Sequence, residues 1–220
     1  MKLGVGLCFY EDLESLKHTL PTYVNNVDYV FAIDGRFSFF EGNDFSSKET
    51  INYLKQFPNV ILEQYIGMEH DKRQKYVDLA AKYKCDVLLI IDSDEGILEA
   101  DWDLFYKSAE ERFKQYPLDN FFGVDFKVTP PGFEPAEYSP YPRVWARPEE
   151  CEYYRAHCIF KNRSTMVRSS AYAPKIEGLM FASGDNYRSD EYLNKICKYQ
   201  GKMLSYELPI RHALRDNLPI

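Results

Sequence analysis

A Cys-x-x-Cys pair is missing from these 220 residues, and the five cysteines make an odd number. A zinc or disulfide framework is therefore not what organises the chain, and a reducing compartment is expected. Cys8, Cys85 and Cys197 lie in apolar surroundings, where a free thiol behaves as a small hydrophobe. No apolar run approaches the roughly 20 residues needed to span a bilayer. The apolar stretch 3–10 is closed at once by Glu11 and Asp12, with no small-residue cleavage site. It reads as a first strand and not as a signal peptide. The expected location is cytoplasmic, at most peripheral to a membrane. Positive charge is also in short supply. A net charge of −7 excludes a general nucleic-acid-binding surface. One region departs from this, since residues 143–175 hold seven basic against three acidic side chains. Internal repeats and low-complexity linkers are absent too, which leaves one domain, 1–220. The Pro-rich stretch 130–142 reads as an excursion within it.

What is present is a regular alternation. Residues 3–9, 29–33, 60–65 and 87–91 read as strands. Between them, Leu13, Leu16, Leu20 and Val24 recur at helical spacing, as do Ile51 with Leu54, and Tyr76, Val77, Ala80 and Ala81. Ser46-x-x-Glu49 reads as a capping box opening the second of these helices. Strands alternating with helices predict an α/β fold with a mostly parallel central sheet. Asp101 is placed to cap a further helix carrying Trp102, Phe105, Ala109 and Phe113. After it the pattern changes. Residues 121–128 and 143–146 read as strands, residues 192–197 as a helix, and 203–206 as a last short strand. The expected layout is a half-sheet resembling those that bind nucleotides, 1–100, followed by a half of mixed structure, 101–220.

One stretch carries chemistry. Val87-Leu88-Leu89-Ile90-Ile91 is an apolar run that ends in Asp92-Ser93-Asp94-Glu95, three carboxylates within four positions. The run reads as a strand buried on both faces. Its acids then lie past the carboxyl end, where open α/β sheets bind ligands. Grouped carboxylates repel one another, and a divalent cation such as Mg²⁺ or Mn²⁺ relieves that repulsion. A solvated acidic turn after a strand is the plain alternative.

In this order of elements the chain resembles the inverting, metal-dependent glycosyltransferases of family two, which have the GT-A (Rossmann-like) fold. The resemblance rests on Gly6-Leu7-Cys8-Phe9-Tyr10-Glu11-Asp12, on the strand ending in Asp34-Gly35, on Lys72-Arg73-Gln74, and on Asp92-Ser93-Asp94-Glu95. Pro142-Arg143-Val144-Trp145-Ala146-Arg147-Pro148 and Arg155-Ala156-His157 look like the segment after the acceptor loop in lipopolysaccharide-core-type members. The resemblance implies a nucleoside-diphosphate sugar as donor, with a UDP-sugar expected, and a hydroxyl acceptor on a glycan, lipid or protein. It implies Asp94 as a ligand of Mn²⁺ or Mg²⁺, and Asp92 bound to the donor ribose or to the metal through water. His212 would complete the metal site. Asp34 would accept a hydrogen bond from the nucleotide base, with Phe9 and Tyr10 beside it and Lys72 and Arg73 facing the donor. Asp190 or Glu191 would take the acceptor proton. Where related members carry His-Glu, this chain has His157-Cys158, so the base lies at Asp190 or Glu191 or the acceptor is handled differently.

Three other functions compete. A haloacid-dehalogenase-type phosphatase wants Thr or Val two residues past the second Asp, and Gly96 stands there. A sugar-nucleotidyltransferase of the same fold wants a Gly-rich basic loop after the first strand, which Cys8-Phe9-Tyr10-Glu11-Asp12 does not supply. A nucleotide- or metal-binding module without transfer activity shares every feature above.

Overall fold

Leu3, Val5, Leu7 and Phe9 alternate with Gly4, Gly6 and Cys8, so the first strand sends its bulk to one face and leaves the other nearly bare. In the computed structural model of the chain this strand lies inside the central sheet. The structure describes residues 1–38, 40–128, 136–137, 142–153, 159–162, 165–168 and 173–183. The first half runs β1 (Leu3–Phe9), α1 (Leu13–Thr19), β2 (Tyr29–Asp34), α2 (Lys48–Leu54), β3 (Val60–Gln64), α3 (Glu69–Lys82), β4 (Val87–Asp92) and β5 (Glu95–Ala100). Then follow α4 (Trp102–Gln115), β6 (Phe121–Val128), β7 (Ala136–Glu137) and β8 (Val144–Ala146). The last described strands are β9 (Cys151–Tyr153), β10 (Ile159–Asn162), β11 (Thr165–Arg168) and β12 (Lys175–Ser183).

Among the described residues, nine strands form one sheet in the order β3-β2-β1-β4-β8-β6-β12-β5, with β7 paired to β6. The first four are parallel to one another, as the alternation of strands and helices predicts. Beyond β4 the pairing is mixed. Strand β8 is antiparallel to both β4 and β6, β12 is parallel to β6, and β5 is antiparallel to β12. Strands β9, β10 and β11 form a small antiparallel sheet. The result is the expected α/β architecture, with a parallel first half and a mixed second half. No helix among the described residues is long and apolar enough to cross a membrane.

Two cores lie on the two faces of the sheet. On one, Leu3, Val5, Leu7 and Phe9 pack with Leu16 and Leu20, with Leu54 of α2, and with Phe105 and Ala109 of α4. On the other, Tyr76, Val77, Leu79 and Ala80 of α3 cover Phe31, Ile33, Leu88 and Ile90, and Trp145 and Tyr153 extend the layer. The bare side of β1 decides how closely α3 approaches. A Cβ on Gly6 would stand 2.5 Å from the Tyr76 ring. The glycine therefore lets the helix sit directly on the strand, and this fixes where α3 presents its first two turns.

Two local expectations change. The helix after residue 46 is capped by Ser47, whose side chain accepts from Thr50 N at 3.3 Å. Ser46 is committed elsewhere, donating to Asp34 Oδ1 at 2.6 Å and accepting from Glu11 N at 2.7 Å. Residues 95–100 form strand β5, where the sequence shows the acidic turn ending at Glu95 and no strand pattern after it. Its edge is held by Thr22, whose hydroxyl accepts from Ile97 N at 3.0 Å.

Candidate active site at the carboxyl edge of the sheet

The chain moves from β1 to β2 on one side and returns to place β4 on the other side of β1. The two connections diverge there, and in open α/β sheets this divergence is where a ligand crevice forms, at the carboxyl ends of β1 and β4. Strand register lines the edge with the residues singled out from the sequence. Phe9 pairs with Asp34, Cys8 with Asp92, and Asp34 with Gln64. Asp34 and Asp92 thus end strands on either side of β1, about 10 Å apart by two strand spacings.

On the β2 side, Asp34 is fully buried. Its carboxylate accepts from Ser46 N at 3.1 Å, from the Ser46 hydroxyl, and from Gln64 Nε2 at 3.0 Å. It therefore anchors the loop 35–47 against β3. Gly35 has a φ of +132°, and a Cβ there would lie 2.3 Å from the Tyr65 carbonyl, so the loop leaves β2 by a path open only to glycine. Tyr10 donates to Asn43 O at 2.7 Å, tying the end of β1 to the same loop.

Lys72 lies beneath these loops and not in the open crevice. It is 2% exposed, and its ammonium donates to Phe9 O at 2.7 Å and to Gly35 O. It clamps the ends of β1 and β2 together. Burial pulls this ammonium down to about 8, against the opposing influence of Cys8, Asp34 and Glu69. Helix α3 begins at Glu69, so Lys72 and Arg73 sit a turn inside it, and the acids Glu69 and Asp71 occupy the first turn as the helix dipole favours.

On the β4 side, five side chains alternate in charge type. Arg73 Nε donates to Glu69 Oε1 at 2.8 Å, and Arg73 Nη2 donates to Asp92 Oδ1 at 2.7 Å. Arg143 Nη1 stands 3.7 Å from Asp92 Oδ2, while Nη2 donates to Glu95 Oε1. Glu95 Oε2 accepts from Asp92 N at 2.9 Å and closes the turn. The sequence Glu69–Arg73–Asp92–Arg143–Glu95 thus forms a continuous ladder joining α3, β4, β5 and the entry to β8. Its guanidinium groups are mostly buried, with side-chain exposures of 11% and 13%, whereas Asp92 is 30% exposed and faces the crevice. Burial would lower the Arg73 guanidinium, but Asp92, Tyr76 and Glu69 outweigh it. Arg143 is likewise lowered by burial and raised overall by Glu95 and Asp92. Burial holds the Glu95 carboxyl above the usual carboxylate range. Asp92 and Asp94 add to this, and Arg143 opposes it.

Behind the ladder, Arg73 Nη1 donates to Tyr76 at 3.3 Å, and the Tyr76 and Tyr153 hydroxyls bond at 2.7 Å. Ser93 turns inward and donates to Asp12, and its carbonyl accepts from Thr19 at 2.9 Å. Of the turn Asp92-Ser93-Asp94-Glu95, Asp92 and Asp94 are half-buried, while Ser93 and Glu95 are buried.

The fit of a divalent cation can be judged from this turn. Mg²⁺ commonly keeps several waters and takes one or two carboxylates plus phosphate oxygens, so it needs no protein cage. Among the described residues no three His, Cys, Asp or Glu side chains are grouped to hold a metal ion. Asp92 is turned between two guanidinium groups, which disfavours it as a direct ligand. The set this turn offers an ion is then Asp94 with water and the oxygens of a ligand. His212, Asp190 and Glu191 lie outside the described residues.

Sequence reasoning named Arg143 in a basic stretch, in the strand 143–146 and in the segment after the acceptor loop, but gave it no place at the acidic turn. Its signal was the adjoining strand, since β8 runs antiparallel beside β4 and Arg143 O accepts from Ile90 N at 2.8 Å.

No protein-family model matches the sequence, and no curated protein does. Among solved structures, the 1–349 fragment of S. aureus TarS in complex with UDP-GlcNAc overlaps with a TM-score of 0.47 and 15% identity. The overlap covers 67% of this chain and 46% of that one. The same fragment in complex with UDP gives 0.48 and 15%, over 67% and 47%. A UDP-glucose pyrophosphorylase complexed with UDP-glucose gives 0.32 and 8%, over 85% and 78%. The chain spans under half the length of the TarS fragment. Overlap at this level identifies neither a family nor an activity.

Proposed function

We propose that the chain binds a nucleoside-diphosphate sugar across the carboxyl ends of β1, β2 and β4 and transfers the sugar, with inversion, to a hydroxyl acceptor. The observation that supports this most is the acidic turn at the point where the connections from β1 diverge, with Asp34 ending the strand on the other side of β1. In this reading the loop 35–47, fastened by Asp34, Ser46 and Gln64, borders the nucleotide base. The backbone at Phe9, held by Lys72, and Tyr10, whose hydroxyl is held on the Asn43 carbonyl, form the floor. Asp92 offers its exposed edge to the ribose hydroxyls while Arg73 and Arg143 hold its orientation. Asp94 holds Mn²⁺ or Mg²⁺, which when bound supplies Lewis-acid stabilisation of charge on the departing diphosphate. Asp190 or Glu191 accepts the proton of the attacking hydroxyl.

The test is a titration of UDP and of UDP-GlcNAc into the full chain, with and without Mn²⁺. Wild type should bind UDP, and the Mn²⁺-dependent part of the affinity should vanish in Asp94→Asn while the melting curve is kept. Equal affinity of the two proteins at saturating Mn²⁺ would remove Asp94 from the site. Release of UDP from the sugar nucleotide on incubation distinguishes a transferase from a binding module.

A further inference from the structure

We infer that Tyr76 and Tyr153 are positioning residues for Asp92: their paired hydroxyls fix the Arg73 guanidinium and, through it, the carboxylate edge that meets a ribose. The inference rests on the donor-site reading and deepens it, by naming what sets selectivity for the sugar hydroxyls of the nucleotide.

Tyr76 and Tyr153 stand 77 positions apart and meet in the core beneath α3. Tyr76 is fully buried and Tyr153 nearly so. Arg73 lies one turn before Tyr76, and its guanidinium points three ways. Nε donates to Glu69, Nη2 to Asp92 at 2.7 Å, and Nη1 to the Tyr76 hydroxyl at 3.3 Å. The group is planar and rigid, so its three directions turn together. A guanidinium can only donate, which makes the Tyr76 oxygen an acceptor. The arrangement that also uses the Tyr76 proton sends it on to Tyr153 at 2.7 Å. Burial raises both phenols above their ordinary 10, against the pull of Arg73, so the pair stays neutral.

Tyr153 serves as the fixed end of this chain because other contacts hold it. Its backbone N donates to Gln74 Oε1 at 2.8 Å, and its ring packs on Trp145 with 4.6 Å between centroids. Trp145 in turn lies opposite Leu88, on the strand that ends in Asp92. Asp92 is gripped more closely by Arg73, at 2.7 Å, than by Arg143, at 3.7 Å. A turn of the Arg73 fork therefore turns Asp92. If the pair served packing alone, two phenylalanines would fill the same layer without bringing two hydroxyls into an apolar core.

The experiment titrates UDP, 2′-deoxy-UDP and 3′-deoxy-UDP into the full chain at fixed Mn²⁺, by calorimetry. It compares wild type with Tyr76→Phe, Tyr153→Phe and the double variant, each with its melting curve. Wild type should prefer UDP to at least one deoxy analogue by about tenfold, the size of a hydrogen bond to a charged group. In each variant that preference should be largely lost, through weaker binding of UDP and not through tighter binding of the analogue. The double variant should lose no more than either single one, because the two hydroxyls act in one chain. A pair that serves packing alone would weaken all three nucleotides alike and leave the preference intact. A preference kept in folded Tyr76→Phe and Tyr153→Phe overturns the inference. Absence of UDP binding in wild type, or of any preference there, removes the donor-site reading or its ribose contact instead. The hold on Asp92 is then decided without ligand, by combining Tyr153→Phe with Asp92→Ala in urea melts. Midpoint shifts that fail to add support the inference, and shifts that add overturn it.

Discussion

Replacing Lys72 by Met tests the clamp under the crevice in a way that pH makes quantitative. The ammonium is buried between Phe9 O and Gly35 O, with Cys8, Asp34, Arg73 and Glu69 as its charged or titratable neighbours. Burial lowers it from its ordinary 10.5 to about 8. Below pH 8 both the folded and unfolded chains carry this proton, so it adds no slope. Between about 8 and 10.5 the unfolded chain holds the proton and the folded chain does not, so stability rises with pH. At 1.36 kcal/mol per pH unit, that window amounts to about 3 kcal/mol. This contribution is complete above the unfolded value and is lost as pH falls through the folded one. Lys72→Met has no such proton. The stability of wild type minus that of the variant should therefore rise by about 3 kcal/mol across the window, while other titrating groups cancel in the difference. Urea melts at several pH values from 7 to 10.5 measure it. With a slope of about 3 kcal/mol/M, the midpoint of wild type should gain about 1 M on the variant. A difference that stays flat across the window would refute the burial argument and place the ammonium in contact with solvent.

Three further outcomes follow from the same geometry. Gly6→Ala drives a methyl into the Tyr76 ring, which must shift with α3. Overpacking of this kind costs about 1–3 kcal/mol, and thermal melts of the variant report it. Ser47→Ala removes a helix cap worth about 1 kcal/mol. Ser46→Ala strips buried Asp34 of a donor and leaves Glu11 N short, at about 1–3 kcal/mol, so denaturant melts should rank it the more harmful. The reverse ranking would restore the capping box to Ser46. Asp190→Asn should lower sugar transfer about 10²- to 10⁴-fold with donor binding unchanged, and Glu191→Gln should be mild. Turnover unaffected by both substitutions together would send the search for the base to Glu134, Glu137 or Asp185.

The strands of the first half were legible because their signal is local. Leu3–Phe9 matches the expected bounds, as Phe121–Val128 does in the second half, and the strands ending in Asp34 and Asp92 run one residue further than their apolar cores suggest. Asp101 caps α4 as its sequence position predicts, accepting from Leu104 N at 2.9 Å. Strand β5 was not legible. Glu95-Gly96-Ile97-Leu98-Glu99-Ala100 has acids at two positions and a glycine, and it is a strand because β12, from Leu179 opposite Ala100 to Ser183 opposite Glu95, pairs with it from far along the chain. The capping box failed for a related reason. Ser46 and Ser47 are equivalent to a local rule, and only the buried carboxylate of Asp34 draws one of them away.

What the sequence by itself determined is the alternation of elements and the place of the acids. Apolar runs bury on both faces of a parallel sheet, and the polar residues that end them have nowhere to go but its carboxyl edge. What only the tertiary structure decided is the electrostatic state of that edge. The resemblance has Lys72 face the donor, but the glycine-faced β1 draws α3 close and makes its ammonium an internal clamp. Arg143 belongs to a basic stretch until β8 docks beside β4 and carries its guanidinium to Asp92 and Glu95. Hydrophobic pattern is a property of neighbours along the chain. The balance of charge at a site depends on which distant side chains the register brings within a few ångströms, and no local period records that.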